Sequence, residues 1–253
     1  MRNWEDDDGS PYCSVKEDFM DAAQVADKLS INLVQMNFAQ KYKEKVFSYF
    51  LNELNKGKTP NPDIYCNKYI KFKEFTDYAF ENGYDAVATG HYSKIQVINK
   101  EHFLCKSYDQ SKDQTYFLSQ VDRDIFSKIK FPLGNLLKTE VRKIAEKENL
   151  ITFDKKDSTG ICFIGERPFP EFLKNYLPEE HGEIVDDSGE VIGSHKGLYF
   201  YTIGQRQGLG IGGLKNREEK AWYVVAKDFS KNKLVVVHCL LYTSDAADET
   251  VSV

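Results

Sequence analysis

Apolar positions in the first ninety residues follow two spacings, one helical and one typical of strands. Ser14 and Glu17 have the spacing of a capping box, and an apolar stripe follows them at Phe19, Ala22, Ala23, Ala26 and Leu29, which predicts a helix. The same criteria predict a strand, two helices and a second strand at residues 31–38, 42–56, 66–83 and 85–89, with Gly57 and Gly83 as the stops of the two helices. Helices that alternate with strands predict an α/β domain with a parallel sheet.

The pattern changes after this second strand. Residues 93–106 predict a hairpin, residues 112–121 a polar loop entering a helix, and residues 139–150 a charged amphipathic helix. From about Gly182 onwards the pattern predicts only strands, at residues 183–192, 198–203 and 222–226, with a turn at Asp187-Ser188-Gly189. We therefore expect a first domain at residues 1–166 and a small, mostly-β domain at residues 167–238.

Composition is typical of a soluble globular protein, with 41% hydrophobic and 29% charged residues among 253. No apolar run is long enough to span a bilayer and the first residues do not resemble a secretory signal, so we expect a cytoplasmic protein without a membrane partner. The five cysteines are odd in number and widely spread, which does not indicate a secreted disulfide framework. No cysteine or histidine spacing suggests a metal site.

The net charge of −5 is unevenly distributed. Residues 31–170 carry 22 Lys and Arg against 18 Asp and Glu, a net charge of +4, and the acidic excess lies at the two ends. Affinity for phosphates depends on a local basic face, so the overall charge does not exclude a nucleic-acid partner. Solvated helix faces explain any single lysine equally well.

A proline-rich segment before the third helix carries the first candidate chemistry. Pro60 and Pro62 restrict the backbone of residues 59–62, which predicts a stiff, non-helical loop. Cys66 would follow near a helix N-terminus, where the helix dipole stabilises a thiolate, with the carboxylate of Asp63 one turn upstream. A buried structural cysteine is the alternative interpretation.

A second cysteine, Cys162, lies where a polar loop containing Gly160 meets a short apolar strand. Loops carried by a rigid scaffold often hold functional residues. Two cysteines in such settings therefore favour a reactive role over a structural one. The glycine-rich segment 208–213 contains G-x-G-x-x-G, but it lacks the following helix and the βαβ unit of a dinucleotide site. It is interpreted either as a loop offering Arg206 to RNA phosphates or as a β-turn.

Five motifs occur in an order that resembles the family of tRNA-specific 2-thiouridylases, over residues 1 to about 238. They are Thr59-Pro60-Asn61-Pro62-Asp63 with Cys66-Asn67, Ala88-Thr89-Gly90-His91-Tyr92, Lys112-Asp113-Gln114, Ser158-Thr159-Gly160-Ile161-Cys162-Phe163-Ile164-Gly165-Glu166, and Thr202-Ile203-Gly204-Gln205-Arg206. The resemblance implies an adenine nucleotide alpha hydrolase-like, ATP-pyrophosphatase α/β domain followed by a small central tRNA-binding domain.

The resemblance also implies an activity, ATP-dependent 2-thiolation of the wobble uridine of tRNA, and a role for individual residues. Cys162 would carry a persulfide, Cys66 would be the partner nucleophile, the two would end as a disulfide, and Asp63 would be the general acid/base. Gly90 and Met1 match ATP contacts, with Mg²⁺ as the counter-ion of ATP. Contacts to tRNA match Asn61, Pro62, Asp63, His91, Lys112, Asp113 and Gln114. A persulfide donor protein would be a third partner beside tRNA and ATP.

Two departures from the family qualify this prediction. The phosphate-binding motif Ser-Gly-Gly-x-Asp-Ser is absent, and residues 239–253 break the strand pattern and resemble translated adapter sequence, so we expect a fragment truncated at both ends that binds ATP poorly. A dithiol redox protein and a non-catalytic RNA-binding module remain as alternatives, although neither requires the proline loop with Asp63.

Overall fold

A computed structural model describes residues 1–4, 15–156, 169–211 and 221–238. The chain divides into two compact units. The first comprises residues 1–49 and 61–167, and the second comprises residues 50–60 and 168–253. Among the described residues, no helix is both long and apolar enough to cross a bilayer.

Helices account for most of the first half of the chain. The first helix is Val15–Lys28. The second, here called the Tyr49 helix (residues 39–55), runs without a break through Ala39–Tyr42, a π-helical segment Lys43–Phe47 and Ser48–Asn55. The third, here called the Cys66 helix (residues 62–81), joins Pro62–Tyr65, a π-helical segment Cys66–Glu74 and Phe75–Glu81. As predicted, each of the last two helices is followed by a glycine with positive φ, Gly57 at 81° and Gly83 at 82°.

The strands of the first unit form two small sheets. β1 (Val87–Ala88) pairs in parallel with β4 (Ile129–Lys130), which agrees with the predicted parallel sheet. β2 (Ser93–Ile98) and β3 (Glu101–Lys106) form the predicted hairpin, and its two turn residues, Asn99 and Lys100, both have positive φ. Short 3₁₀ helices at Thr115–Leu118 and Arg123–Lys128 and an α-helix at Lys138–Lys147 complete the order.

A hydrophobic core joins the Cys66 helix to the parallel strand pair. Its buried members are Phe72, Ala79, Val87, Leu118, Val121, Phe126 and Ile129. Since Phe72 and Ala79 come from the helix and Val87 and Ile129 from the paired strands, packing fixes the helix against the strand that ends before Gly90. Burial of such side chains contributes about 1.5–3 kcal/mol each.

The second unit is a four-stranded sheet with the order β6-β5-β8-β7. Its strands are β5 (Gly182–Val185), β6 (Val191–His195), β7 (Tyr223–Asp228) and β8 (Lys233–Val237), and a short helix, Phe169–Leu173, precedes them. The Asp186 carboxylate accepts hydrogen bonds from the backbone N–H groups of Ser188 and Glu190 and so fixes the predicted turn of the β5–β6 hairpin.

Residues 50–60, the end of the Tyr49 helix and the loop after it, also belong to the second unit. Lys227 of β7 donates a hydrogen bond from Nζ to the carbonyl oxygen of Gly57 at 2.9 Å, and burial lowers the pKa of Lys227 to about 8. A Cβ placed on Gly57 would lie 2.4 Å from Cε2 of Phe229. The second unit therefore holds the chain just before the proline-rich segment.

Three local predictions were wrong. Residues 31–38 form no strand, because only Asn37 makes a β-bridge, to Arg2. Residues 198–203 contain a 3₁₀ helix, Leu198–Phe200, instead of a strand, and Gly197 with φ of 148° turns the chain into it. The predicted stripe of the first helix is largely exposed: Ala26 is buried, but Phe19 and Leu29 are exposed.

Candidate functional site

The proline-rich segment is a helix start, and only its first half is the non-helical loop that the sequence predicts. Asn61 is the N-cap, its side-chain Oδ1 accepting a hydrogen bond from the backbone N–H of Asp63 at 3.0 Å. Pro62 occupies the first helical position, where its fixed φ suits the helix and its missing N–H costs nothing. Asp63 therefore lies in the first turn, and Cys66 begins the π-helical segment that follows.

Cys66 is completely buried. The side-chain N–H of Asn3 points at its sulfur, with Nδ2 3.9 Å from Sγ, while the Oδ1 of Asn3 is buried without a hydrogen-bond partner. A π-helical segment starting at the thiol is a further unusual feature, since such segments are rare and frequently lie at functional sites. Cys105, the other described cysteine, is partly exposed on β3.

Hydrogen bonds join three of the sequence motifs in the first unit. Asn67, next to Cys66 and almost fully buried, donates from Nδ2 to the carbonyl oxygen of Phe117 at 3.0 Å. Gln114 accepts a hydrogen bond from the backbone N–H of Tyr92 on Oε1 at 3.0 Å, and its own N–H donates to the carbonyl oxygen of Tyr92. The segments around Cys66, Gln114 and His91 are therefore linked, although they are far apart in sequence.

The loop that carries Lys112, Asp113 and Gln114 is held by its own side chains. Asp113 accepts hydrogen bonds from the backbone N–H groups of Ser107 and Thr115 and from the hydroxyl of Thr115. The side chain of Asp113 is thus engaged within the loop and that of Gln114 with Tyr92, while Lys112 is exposed. Of the three, Lys112 presents its side chain to solvent.

His91 lies at the carboxyl end of β1 against two phenylalanine rings. Its ring centroid is 5.6 Å from that of Phe72 and 6.1 Å from that of Phe131, and its Nδ1 is 2.8 Å from the hydroxyl oxygen of Thr89. Burial, reinforced by the positive charge of Lys71, lowers the pKa of His91 to about 4. His91 is therefore neutral near pH 7 and acts as a hydrogen-bonding and packing group.

Gly90 and Met1, the two predicted ATP contacts, are both exposed. A Cβ on Gly90 would meet no atom closer than Leu133 Cδ1 at 3.9 Å, so packing within the chain does not require glycine there. The space beside the Cα of Gly90 is therefore open within the described chain. Met1 precedes Arg2, whose backbone pairs with residues 36–38.

Arg206 and Cys162 are the remaining predicted site residues. Arg206 is exposed and belongs to the second unit, in a loop where Gly204, Gly208 and Gly210 have positive φ. Cys162 lies outside the described residues, and its distance from Cys66 is therefore not described. In the described part of the chain, no group of three or more His, Cys, Asp or Glu side chains is arranged to hold a metal ion.

Sequence reasoning missed three features of the site. The first two are side-chain contacts, of Asn3 with the thiol and of Asn67 with the backbone of Phe117. The third is a stack formed by Tyr49, Tyr65 and Tyr69. Only the four-residue spacing of Tyr65 and Tyr69, which places both on one helix face, was available as a signal.

Two family models of known proteins match successive parts of the chain. Residues 1–166 match the family model described as tRNA methyl transferase HUP domain, and residues 170–238 match the tRNA methyl transferase PRC-barrel domain. The HUP match agrees with the predicted nucleotide-binding α/β class, and the PRC-barrel match agrees with the small β-rich domain.

Curated relatives carry a more specific name. The chain is 54% identical over 247 residues to the tRNA-specific 2-thiouridylase MnmA of Neisseria meningitidis serogroup C strain FAM18, covering 96% of this chain and 66% of the relative. It is 55% identical over 236 residues to the protein of that name from Hahella chejuensis, covering 93% and 65%. The chain therefore spans about two thirds of the length of the curated relatives it matches.

Proposed function

The chain belongs to the family of tRNA-specific 2-thiouridylases, and on this premise we propose that it carries the catalytic thiol of an enzyme that replaces the C2 oxygen of a tRNA uridine with sulfur. The observation that supports this most strongly is the linkage of the Cys66, Gln114 and His91 segments by the hydrogen bonds of Asn67 and Tyr92. A dithiol redox protein would need only the cysteines, and an RNA-binding module would need no thiol.

The reaction requires activation of the uridine and then transfer of sulfur. ATP, as the second substrate, would adenylate the C2 oxygen with release of pyrophosphate, which makes that oxygen a leaving group. The terminal sulfur of a persulfide on Cys162 would then attack C2, and AMP would depart. The thiolate of Cys66 would attack the Cys162 sulfur, releasing 2-thiouridine and leaving a Cys66–Cys162 disulfide for an external reductant to reopen.

Asp63 is the residue we assign to proton transfer in this scheme. The Asn61 cap and the fixed φ of Pro62 hold it in the first turn of the Cys66 helix, one turn before the thiol. A carboxylate held there can take a proton from the uridine ring or from the thiol. Asn61 and Pro62, with Asp63, form the segment that we propose contacts the target base.

For ATP, we propose contacts at Gly90 and Met1, with Mg²⁺ carried on the phosphates. The open space at Gly90 supports this, since a ligand can approach the backbone there. The 253 residues do not contain the Ser-Gly-Gly-x-Asp-Ser motif that would hold the pyrophosphate. We therefore expect this polypeptide to bind ATP weakly, and calorimetry that found tight binding would contradict that expectation.

For tRNA, the structure favours different tasks for the matched residues. Lys112, exposed on a rigid loop, is suited to a phosphate contact, and the exposed Arg206 is suited to another. Asp113 and Gln114 would act by holding the loop in shape. His91, being neutral, would offer a hydrogen bond instead of a charge. The scheme further calls for a cytoplasmic persulfide donor protein.

The proposed activity is tested in the organism that carries the gene, by measuring 2-thiouridine in total tRNA by mass spectrometry. Genes encoding Cys66→Ser or Cys162→Ser should fail to restore 2-thiouridine to a strain lacking the gene, while Cys105→Ser should restore it. Unchanged 2-thiouridine with Cys66→Ser would refute the proposed chemistry and favour the RNA-binding module. Loss of thiol exchange without any change in 2-thiouridine would favour the redox protein.

A further inference from the structure

Three tyrosine rings form a stack, here called the tyrosine ladder, between two helices of the first unit. The ring centroids of Tyr49 and Tyr65 are 4.1 Å apart with an interplanar angle of 29°. Those of Tyr65 and Tyr69 are 5.9 Å apart at 28°. Tyr49 comes from the Tyr49 helix and the other two from successive turns of the Cys66 helix, so the rings follow one another in a near-parallel series.

The ladder is not part of the hydrophobic core. None of its rings belongs to the core cluster around Phe72, and all three side chains are partly exposed. Burial and a hydrogen bond with Tyr49 raise the pKa of Tyr65 to about 12, so Tyr65 stays uncharged at physiological pH. Parallel aromatic faces at a surface offer the contact that nucleobases use with proteins, since every base has a π-face.

Several lysines lie close to the ladder in sequence. The two stretches that supply its rings, residues 41–49 and 65–74, contain six lysines and two glutamates. Lys68 lies over the ring of Tyr69 with Nζ 5.2 Å from the centroid, and Lys41 and Lys45 both bind Glu74. A partly exposed aromatic stack among lysines is the combination found in proteins that bind single-stranded nucleic acid.

The position of the ladder connects it to the thiol. Tyr65 directly precedes Cys66, and Tyr69 lies one turn further along the same helix. A nucleotide stacked on the ladder would therefore be held by the helix that carries the reacting sulfur. Positioning of this kind converts binding energy into orientation at the reaction centre.

We propose that the tyrosine ladder binds an unpaired base of single-stranded RNA, adjacent to the uridine presented to Cys66, by continuing the ring stack. The proposal rests on the proposed function, because it takes tRNA to be the substrate. It extends that function by assigning a site for a neighbouring base to three residues outside the sequence motifs. The competing role is purely structural, in which the rings only pack the two helices together.

The test uses an unmodified anticodon stem-loop RNA with a uridine at the wobble position and a 2-aminopurine beside it. Binding is followed at fixed salt concentration by fluorescence anisotropy, and stacking by quenching of the 2-aminopurine. Tyr69→Leu should weaken binding roughly tenfold and reduce the quenching, whereas Tyr69→Phe, which retains a ring, should behave as the wild type. Tyr84→Leu is the matched control, because Tyr84 is 59% exposed and outside the ladder.

The possible results separate this proposal from the proposed function. Unchanged affinity and quenching for Tyr69→Leu, with RNA still bound, would overturn the ladder site and leave the thiolation proposal standing. If the wild-type protein bound no stem-loop RNA at all, both would fail. The urea transition of Tyr69→Leu shows whether this variant folds. If it does not fold, the 2-aminopurine fluorescence of RNA bound to the wild-type protein decides. Quenching on binding supports the site, and an unquenched 2-aminopurine in the bound RNA overturns it.

Discussion

His91 gives this protein a pH-dependent stability whose size can be worked out from its surroundings. Its ring lies among Phe72, Phe131 and Thr89, and burial followed by the charge of Lys71 lowers its pKa from 6.5 to about 4. Between these two values the unfolded chain binds a proton that the folded chain does not. Folding stability contributed by neutral His91 is therefore fully present above about pH 6.5 and is lost as the pH falls through about 4.

The magnitude follows from linkage at ~1.4 kcal/mol for each tenfold change in proton affinity. A folded pKa of about 4 against 6.5 corresponds to a total of about 3 kcal/mol, of which about 2 kcal/mol is lost between about pH 7.5 and about pH 5. His91→Gln removes the titrating group. The variant is less stable near pH 7.5 because ring contacts are lost, but its stability should decline by about 2 kcal/mol less over that interval.

The assay must report on the first unit alone, because buried His195 of the second unit also has a lowered pKa. The chain has two tryptophans, Trp4 in the first unit and Trp222 in the second. In a Trp222→Phe background, urea unfolding followed by fluorescence reports on Trp4, which is buried and packs edge-on against Phe47. His181→Gln, at an exposed site, is the control. Parallel stability curves for the wild type and His91→Gln would refute the reasoning.

Three further predictions concern the helix start, its approach and the strand end. Asn61→Ala should lower the free energy of unfolding by about 1 kcal/mol through loss of the cap, and Asn61→Asp should not; equal stabilities in urea would show that the cap is unimportant. Gly57→Ala should destabilise by roughly 1–3 kcal/mol because of its positive φ and its clash with Phe229, and adding Phe229→Ala should recover part of this in thermal unfolding; no loss would contradict the packing described. Gly90→Ala should leave stability within about 0.5 kcal/mol in the same urea assay, and a larger loss would show that the fold itself needs this glycine.

Local patterns predicted those elements whose geometry is decided by neighbours in sequence. The β2–β3 hairpin turns at Asn99 and Lys100, and asparagine is among the residues that tolerate positive φ. The helix Lys138–Lys147 and the glycine stops at Gly57 and Gly83 were predicted for the same reason. Each of these needs only a turn residue or a periodic stripe, both of which can be read directly from the chain.

Elements that depend on distant partners were not predictable in this way. Residues 31–38 have the composition of a strand, but a strand exists only where another pairs with it, and in the described chain only Arg2 does so. Leu198 and Tyr199 are both buried although they are consecutive, since a 3₁₀ turn replaces strand alternation there. The order of the motifs identified the candidate site, but the hydrogen bond from Asn67 to Phe117 required coordinates.

Assignment of residues 50–60 to the second unit has a practical consequence for dissecting this protein. The polypeptide passes from one unit to the other three times, so a single cut near residue 167 would not release two intact pieces. If residues 1–166 were expressed alone, the end of the Tyr49 helix, including the buried Leu54, would lack the β-strands that belong to the same unit. A hybrid protein made by exchanging the β-rich unit would therefore have to exchange this short upstream segment as well.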